Sequence, residues 1–215
     1  MKNYNIMNKN VLDILEEIRY TYTERYRIPE LTRLICENTT EYYISDEYLK
    51  EIMSVGHEGG ASYAKSYPIK PSKYKGPPDE WQEYSDVWYD LNTRLMQELG
   101  VKINALAQYY PAGGYIDWHS NWNAAGHNLI FTWSETGDGY FKYVDPKTKE
   151  IVVMPDKIGW SLKAGYFGEQ GEDEFFHCAK TNCPRITISY VMSERELAGI
   201  DTEYWEEVLD YIQTE

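Results

Sequence analysis

An α+β chain, helical through its first hundred residues and β-rich thereafter, is what the amino-acid sequence predicts. Three observations predict it. Apolar residues recur at helical spacing before residue 100. About eight short β-branched or aromatic segments, separated by Gly, Pro, Asp and Asn, fill 101–193. A last amphipathic stretch closes the chain over 194–215. The β region has the pattern of a sandwich, jelly roll or barrel.

The elements follow in order. Val11, Ile14, Leu15, Ile18 and Tyr22 form one helical stripe, and Pro29 opens a second helical segment. "SDEYLKEIMSVG" is a helix with Ser45 as cap and Gly56 as stop. Residues 57–78 are rich in Gly, Pro, Ser, Tyr and Lys and read as a long, lid-like loop. "DEWQ" at 79–82 is a capping-box start. Trp81, Tyr84, Trp88, Leu91, Leu95 and Leu99 are the buried face of its helix, which Gly100 ends. The strands are then "VKINALAQYY", "GYIDWHSN", "HNLIFTWSE", "GYFKYVD", "EIVVMP", "GWSLKAGYF", "EFFHCA" and "RITISYVM". Trp205, Val208, Leu209 and Ile212 are the apolar face of the closing helix. Helical part (1–100), β core (101–193) and terminal helix form one integrated unit.

Composition bounds the function. Twenty-one tyrosines and seven tryptophans favour a β-rich core. The longest apolar runs are too short to span a bilayer, and "MKNYNIMNKN" lacks the apolar stretch of a signal peptide. Three cysteines without repeated spacing argue against a disulfide framework and for a reducing, cytoplasmic setting. A net charge of −14 opposes adhesion to bulk nucleic acid or anionic lipid. A protein, peptide, amino acid or other small molecule fits better as substrate. Against that charge, Lys65, Lys70, Lys73 and Lys75 stand in 63–78 without an acid. They read either as a closure over an anionic group or peptide, or as a solvated linker.

Four histidines are present: His57, His119, His127 and His177. In an ideal strand, Asp117, His119 and Asn121 share one face, opposite Ile116, Trp118 and Ser120. His119 and His177 lie at opposite ends of the β region, where two sheets can bring them together. Two imidazoles plus one oxygen ligand suit non-haem Fe(II). Arg185 and Thr187 share a strand face and make a clamp for a carboxylate. His127, in line with Leu129, Phe131 and Trp133, reads as a packed histidine. His57 reads as a surface or substrate-facing loop residue. Cys178 and Cys183 flank the distal segment without a strong zinc spacing.

"YPAGGYIDWHSN" resembles the pattern Y-x-x-G-G-x-x-x-x-H-x-D of the prolyl 4-hydroxylase branch of the iron- and 2-oxoglutarate-dependent dioxygenases. Tyr110, Gly113, Gly114 and His119 match, and Asn121 stands in place of the acid. "GDGYF" (137–141), "MPDKIGWSLKAGYF" (154–167) and "FFHCAKTNCPRIT" continue the resemblance over roughly 109–190. The W-H-S-N form resembles short bacteriophage-encoded oxygenases. The resemblance implies a double-stranded β-helix core and Fe(II) bound by His119 and His177. It also implies 2-oxoglutarate held by Arg185 with Thr187, with Tyr110 a further hydrogen-bonding candidate. The cosubstrates would be 2-oxoglutarate and O2, the products succinate, CO2 and an oxidised C–H bond, most often an alcohol.

The asparagine departs from that pattern, because an amide oxygen offers a dipole where a carboxylate offers a full charge. Asn121 is the third ligand in one reading. Asp117 supplies the acid or a supporting hydrogen bond in a second. In a third, two histidines act with water or halide, or no iron is bound. A halogenase and a cupin-like metal-binding module are the alternative functions.

Overall fold

The structure is a computed structural model of the 215-residue chain, and it describes residues 1–35, 41–55, 60–121, 125–168, 171, 173–193 and 203–214. His57, Cys36 and the Gly56 stop lie outside the described residues. Two antiparallel sheets form the centre. One has six strands in the order β1 (Lys2–Tyr4), β9 (Gly159–Phe167), β6 (Gly126–Ser134), β11 (Arg185–Ser193), β4 (Ile103–Tyr110), β3 (Tyr67–Pro68). The other has five: β2 (Ala64–Lys65), β5 (Tyr115–His119), β10 (His177–Thr181), β7 (Gly139–Val144), β8 (Ile151–Pro155). From β4 to β11 the chain passes repeatedly between the sheets, so residues far apart in sequence face one another.

Alternation along the strands sorts the side chains. On the six-stranded sheet, Leu129, Phe131, Leu162, Ile186 and Ile188 turn outward into the main apolar core. Helices cover that face. Helix α1 (Lys9–Tyr20) contributes Val11, Leu15 and Ile18, and α4 (Trp81–Leu99) contributes Tyr84, Trp88, Leu91 and Leu95. The last helix, α5 (Glu203–Gln213), adds Val208, Leu209 and Ile212. Burial of this apolar surface is the principal stabilising term, about 25 cal/mol per Å². The five-stranded sheet is backed by α3 (Asp46–Val55) and a 3-10 turn at Glu41–Ile44. There Tyr48, Leu49 and Ile52 pack with Tyr115, Trp118 and Cys178.

Local signals explain most ends. The Asn8 side chain caps α1 by accepting from the N–H groups of Asn10 and Val11 at 3.0 and 3.2 Å. Ser45 Oγ accepts from the Tyr48 N–H at 3.2 Å and starts α3 as expected. The capping box at 79–82 does not form. Glu80 and Trp81 donate to the carbonyls of Pro77 and Pro78 instead, so a turn satisfies those N–H groups and leaves Trp81 43% exposed. The segment opened by Pro29 is only a four-residue helix, α2 (Ile28–Leu31).

The described part of the 57–78 loop is not a free lid. β2 pairs with β5 and β3 with β4, while Tyr84 Oη donates to the Ile69 carbonyl at 2.5 Å. Lys70 and Lys75 donate to the carbonyls of Asn104 and Pro29. Among the described residues no helix is long and apolar enough to cross a membrane.

Candidate functional site

The inner faces of the two sheets enclose a cavity of about 220 Å³. Tyr110, His119, Asn121, His177, Arg185 and Thr187 line it, so all six come together from four separate segments. Ile116, Ile130, Phe141, Phe167 and Ala179 form its apolar wall.

The histidines meet across a strand pair. His119 directly opposes His177 in the β5–β10 ladder, and their ring centroids lie 4.2 Å apart. Each ring is oriented by the backbone two residues earlier. His119 Nδ1 lies 2.7 Å from the Asp117 carbonyl oxygen, and His177 Nδ1 lies 3.1 Å from that of Phe175. A carbonyl only accepts, so both Nδ1 atoms carry the proton, and Nε2 is the basic nitrogen of each ring. Phe167 and Phe175 stack at 4.1 Å and stand beside His177. Burial there, with the nearby His119, holds the His177 imidazole well below its ordinary pKa, hence neutral.

Asp117 breaks the expected alternation. His177 opposes His119 while Ala179 opposes Ile116, so two steps along β10 match three along β5. That extra residue is a β-bulge, and it re-aims the side chains around it. Ile116 and His119 both face the cavity, Trp118 faces the outer cluster, and Asp117 does not line the cavity. The shared face predicted for Asp117 and His119 is therefore corrected. Asp117 Oδ2 accepts from the N–H groups of Ser62 and Tyr63 at 3.1 and 3.0 Å, and the Asp117 N–H donates to the Tyr63 carbonyl. Gly60 N–H donates to the Ser120 carbonyl at 2.7 Å. These bonds tie 60–63 to β5 and set Gly60 and Ala61 at the cavity edge. Burial raises the Asp117 carboxyl to a pKa of about 7, against the two N–H groups that favour its charge.

The opposite end of the cavity is cationic. Arg185 is 1% exposed. Its Nε donates to Asp156 Oδ2 at 2.9 Å, Nη1 to Thr187 Oγ1 at 2.5 Å and Nη2 to Thr132 Oγ1 at 3.5 Å. Lys163 Nζ donates to the other oxygen, Asp156 Oδ1, at 2.7 Å. Burial works against the Asp156 charge, but Arg185 and Lys163 together hold its carboxyl below the usual range. Burial and the Arg185 charge lower the Lys163 ammonium in turn. The Arg185 guanidinium carbon lies 5.3 Å from the centre of the Tyr110 ring. The Tyr110 hydroxyl is buried with no hydrogen-bond partner among the described residues, and burial raises its pKa to about 12.

Two glycines shape these approaches. Gly113, at φ 71°, makes the turn that carries the chain from β4 to β5. A Cβ on Gly139 would lie 2.6 Å from Asp156 Oδ2, so the strand start must be glycine for Asp156 to reach Arg185. Asp156 and Lys163 are the residues that the sequence reading did not single out. Their signal was present: a lysine between Leu162 and Ala164 in an apolar strand calls for a buried partner.

Other candidates lie elsewhere. His127 packs against Trp205 at 4.6 Å and Tyr166 at 5.3 Å, on the helical side of its sheet. Cys178 points into the outer cluster, where burial raises its thiol pKa. Cys183 lies near Ser134 Oγ, 3.2 Å away. Burial opposes its ionisation, but hydrogen bonds from Ser134, Thr136 and Thr181 hold its pKa at about 7. Among the described residues no three His, Cys, Asp or Glu side chains cluster as a metal site.

No protein-family model matches the chain, and no curated protein matches it. Solved structures do. A prolyl-4-hydroxylase from Pseudomonas putida aligns over 88% of this chain and 90% of its own, at 12% identity and a TM-score of 0.42. A rice dioxygenase for auxin oxidation aligns over 84% of this chain and 69% of its own, at 11% identity and a TM-score of 0.30. Both are distant likenesses.

Proposed function

We propose that the chain is an Fe(II)- and 2-oxoglutarate-dependent oxygenase. It hydroxylates a C–H bond of a protein, peptide, amino acid or other small molecule and releases succinate and CO2. The alternation of strands between the two sheets is read as a double-stranded β-helix. The observation that carries the proposal is the pairing, in one cavity, of two opposed imidazoles with a buried guanidinium at the other end.

The residues fit both groups. Nitrogen ligands sit about 2.1 Å from a first-row dication, and two rings 4.2 Å apart, both with basic Nε2, can converge on one ion. His119 and His177 would hold it, and Asn121, on the same cavity, would add its amide oxygen. The Tyr110 hydroxyl, without a partner among the described residues, fits the carboxylate of 2-oxoglutarate, with Arg185 and Thr187 on the same cavity. When bound, iron and 2-oxoglutarate supply the means of activating O2 to oxidise a C–H bond. The chain itself orients each imidazole through a backbone carbonyl, keeps His177 neutral for ligation and surrounds it with phenyl rings that exclude water.

Anaerobic addition of Fe(II), then 2-oxoglutarate, tests the reading. One equivalent of each should bind, with a weak visible charge-transfer band, and air should then yield succinate. Iron-loaded protein that takes up no 2-oxoglutarate overturns it.

One observation favours a second reading, a cupin-like metal-binding module: among the described residues no acid completes a metal-holding group with the two imidazoles. Arg185→Ala separates the two, because a binding module keeps its metal affinity and has no 2-oxoglutarate-dependent turnover to lose.

A further inference from the structure

Asp156 is shared. Its two oxygens accept from two different cations, Lys163 at 2.7 Å and Arg185 at 2.9 Å, and the three side chains are at most 2% exposed. With Lys163 protonated, one carboxylate balances one of two cations, so among the described residues the cluster carries one uncompensated positive charge inside the protein. An unbalanced buried charge is strongly unfavourable unless something answers it. A one-to-one Arg185–Asp156 pair would have oriented the guanidinium equally well without it. Among the described residues, the other groups that Arg185 meets are the hydroxyls of Thr132 and Thr187, to which it donates, and the Tyr110 ring, all of them neutral. Among the described residues no further acid answers that charge, which leaves it to a ligand.

We propose that Lys163, which does not itself line the cavity, sets the charge of this subsite. By occupying Asp156 it prevents the carboxylate from cancelling Arg185, and so makes the cavity end selective for a singly charged anionic group such as a carboxylate. Lys163 and Asp156 are thus positioning and charge-setting residues acting through Arg185. The proposal rests on the cosubstrate reading for the identity of the anion, 2-oxoglutarate, and on the structure alone for the charge count.

Calorimetric titration of the full chain with three probes tests it. They are 2-oxoglutarate with and without anaerobic Fe(II), succinate, and 2-oxopentanoate, which lacks the distal carboxylate. Lys163→Gln keeps a donor for Asp156 Oδ1 and removes the charge. It should weaken 2-oxoglutarate and succinate about tenfold, about 1.4 kcal/mol, and leave 2-oxopentanoate unchanged. The double variant Asp156→Asn/Lys163→Gln again carries one net charge and should recover carboxylate affinity. A role in folding alone predicts no such recovery. Thermal unfolding of each variant identifies any that fails to fold, and the double variant then carries the comparison. Equal carboxylate affinities in wild type, single and double variants overturn the charge-setting role while leaving the oxygenase reading intact. Succinate binding that follows the charge pattern without 2-oxoglutarate binding to iron-loaded protein overturns the oxygenase reading and supports the charge-setting role. Failure of the wild type to bind any carboxylate overturns both.

Discussion

Arg185 Nε and Asp156 Oδ2 lie 2.9 Å apart, joining the start of β11 to the residue just after β8 beneath the six-stranded sheet. The contact orients the guanidinium, and it also ties stability to pH. Asp156 titrates below its ordinary value when folded. The folded state therefore binds fewer protons than the unfolded chain in the acid window. The contribution is complete above the unfolded carboxyl pKa of about 3.9 and is lost as pH falls through the folded value. Asp156→Asn should destabilise the protein by about 3–5 kcal/mol near neutrality, and the gap to wild type should narrow below about pH 4. Urea unfolding from pH 2 to 7 measures this. A gap that stays constant across that range contradicts it.

Arg185→Ala should abolish 2-oxoglutarate binding and spare the fold. The reason is local: Asp156 keeps its bond to Lys163 when the guanidinium is removed, so no buried carboxylate is orphaned. Arg185→Lys retains a charge but not the planar fork, and its 2-oxoglutarate affinity should fall between wild type and alanine. Binding isotherms for the three proteins, with circular dichroism as the fold control, decide the order. Alanine binding as tightly as lysine would remove Arg185 from the site.

Asn121→Asp should tighten Fe(II) binding, by about tenfold or more, since a carboxylate adds a full charge where the amide offers a dipole. Competition with a chromophoric chelator reads the change directly. Equal or weaker affinity in the variant means that Asn121 is not a ligand.

Residue types made much of the cavity legible in the sequence. His119, His177 and Arg185 are polar groups in apolar strands, and such residues are conspicuous because burial demands a reason for them. The helical face of α4 was likewise visible from Tyr84 to Leu99, because periodicity is a local property. What could not be read was relational. The β5 bulge that keeps Asp117 out of the cavity lining, with its Oδ1 still 3.7 Å from His119 Nδ1, exists only in the pairing with β10. Strands β1, β2 and β3 have two or three residues each and gain their identity from β9, β5 and β4. Trp81 shows the same limit from the other side. Its spacing fits the buried stripe, yet it is the first residue of α4, directly after the turn at 77–81, and its ring stays 43% exposed. Asp156 and Lys163 become partners of Arg185 only when three strands are assembled.

Leu95 provides a test of the helical half that does not touch the site. It is fully buried in α4 within the core shared with α1 and the six-stranded sheet. Leu95→Ala should cost about 2–5 kcal/mol, the range for a leucine truncated in a packed core, without altering carboxylate affinity. Lys9→Ala, which removes an exposed partner of Asp13, should change stability by less than about 0.5 kcal/mol. Chemical denaturation of both variants supplies the comparison. Similar small effects at the two positions would contradict the packing of α4 into that core.

Asp117→Ala separates the edge of the cavity from its chemistry. The carboxylate is the acceptor for the Ser62 and Tyr63 N–H groups, and alanine leaves both to find other partners. Buried donors left unsatisfied cost about 1–3 kcal/mol, so the segment that carries Gly60 and Ala61 should loosen before the sheets do. Limited proteolysis should then cut within 60–66 faster than in wild type, and hydrogen exchange should rise at Ser62 and Tyr63. The bond from His119 Nδ1 goes to the Asp117 backbone carbonyl, which the substitution retains. Metal affinity should therefore fall much less than in His119→Ala. A loss as complete as that of the histidine variant, with no change in proteolysis, would make Asp117 a ligand and refute its assignment to the cavity edge.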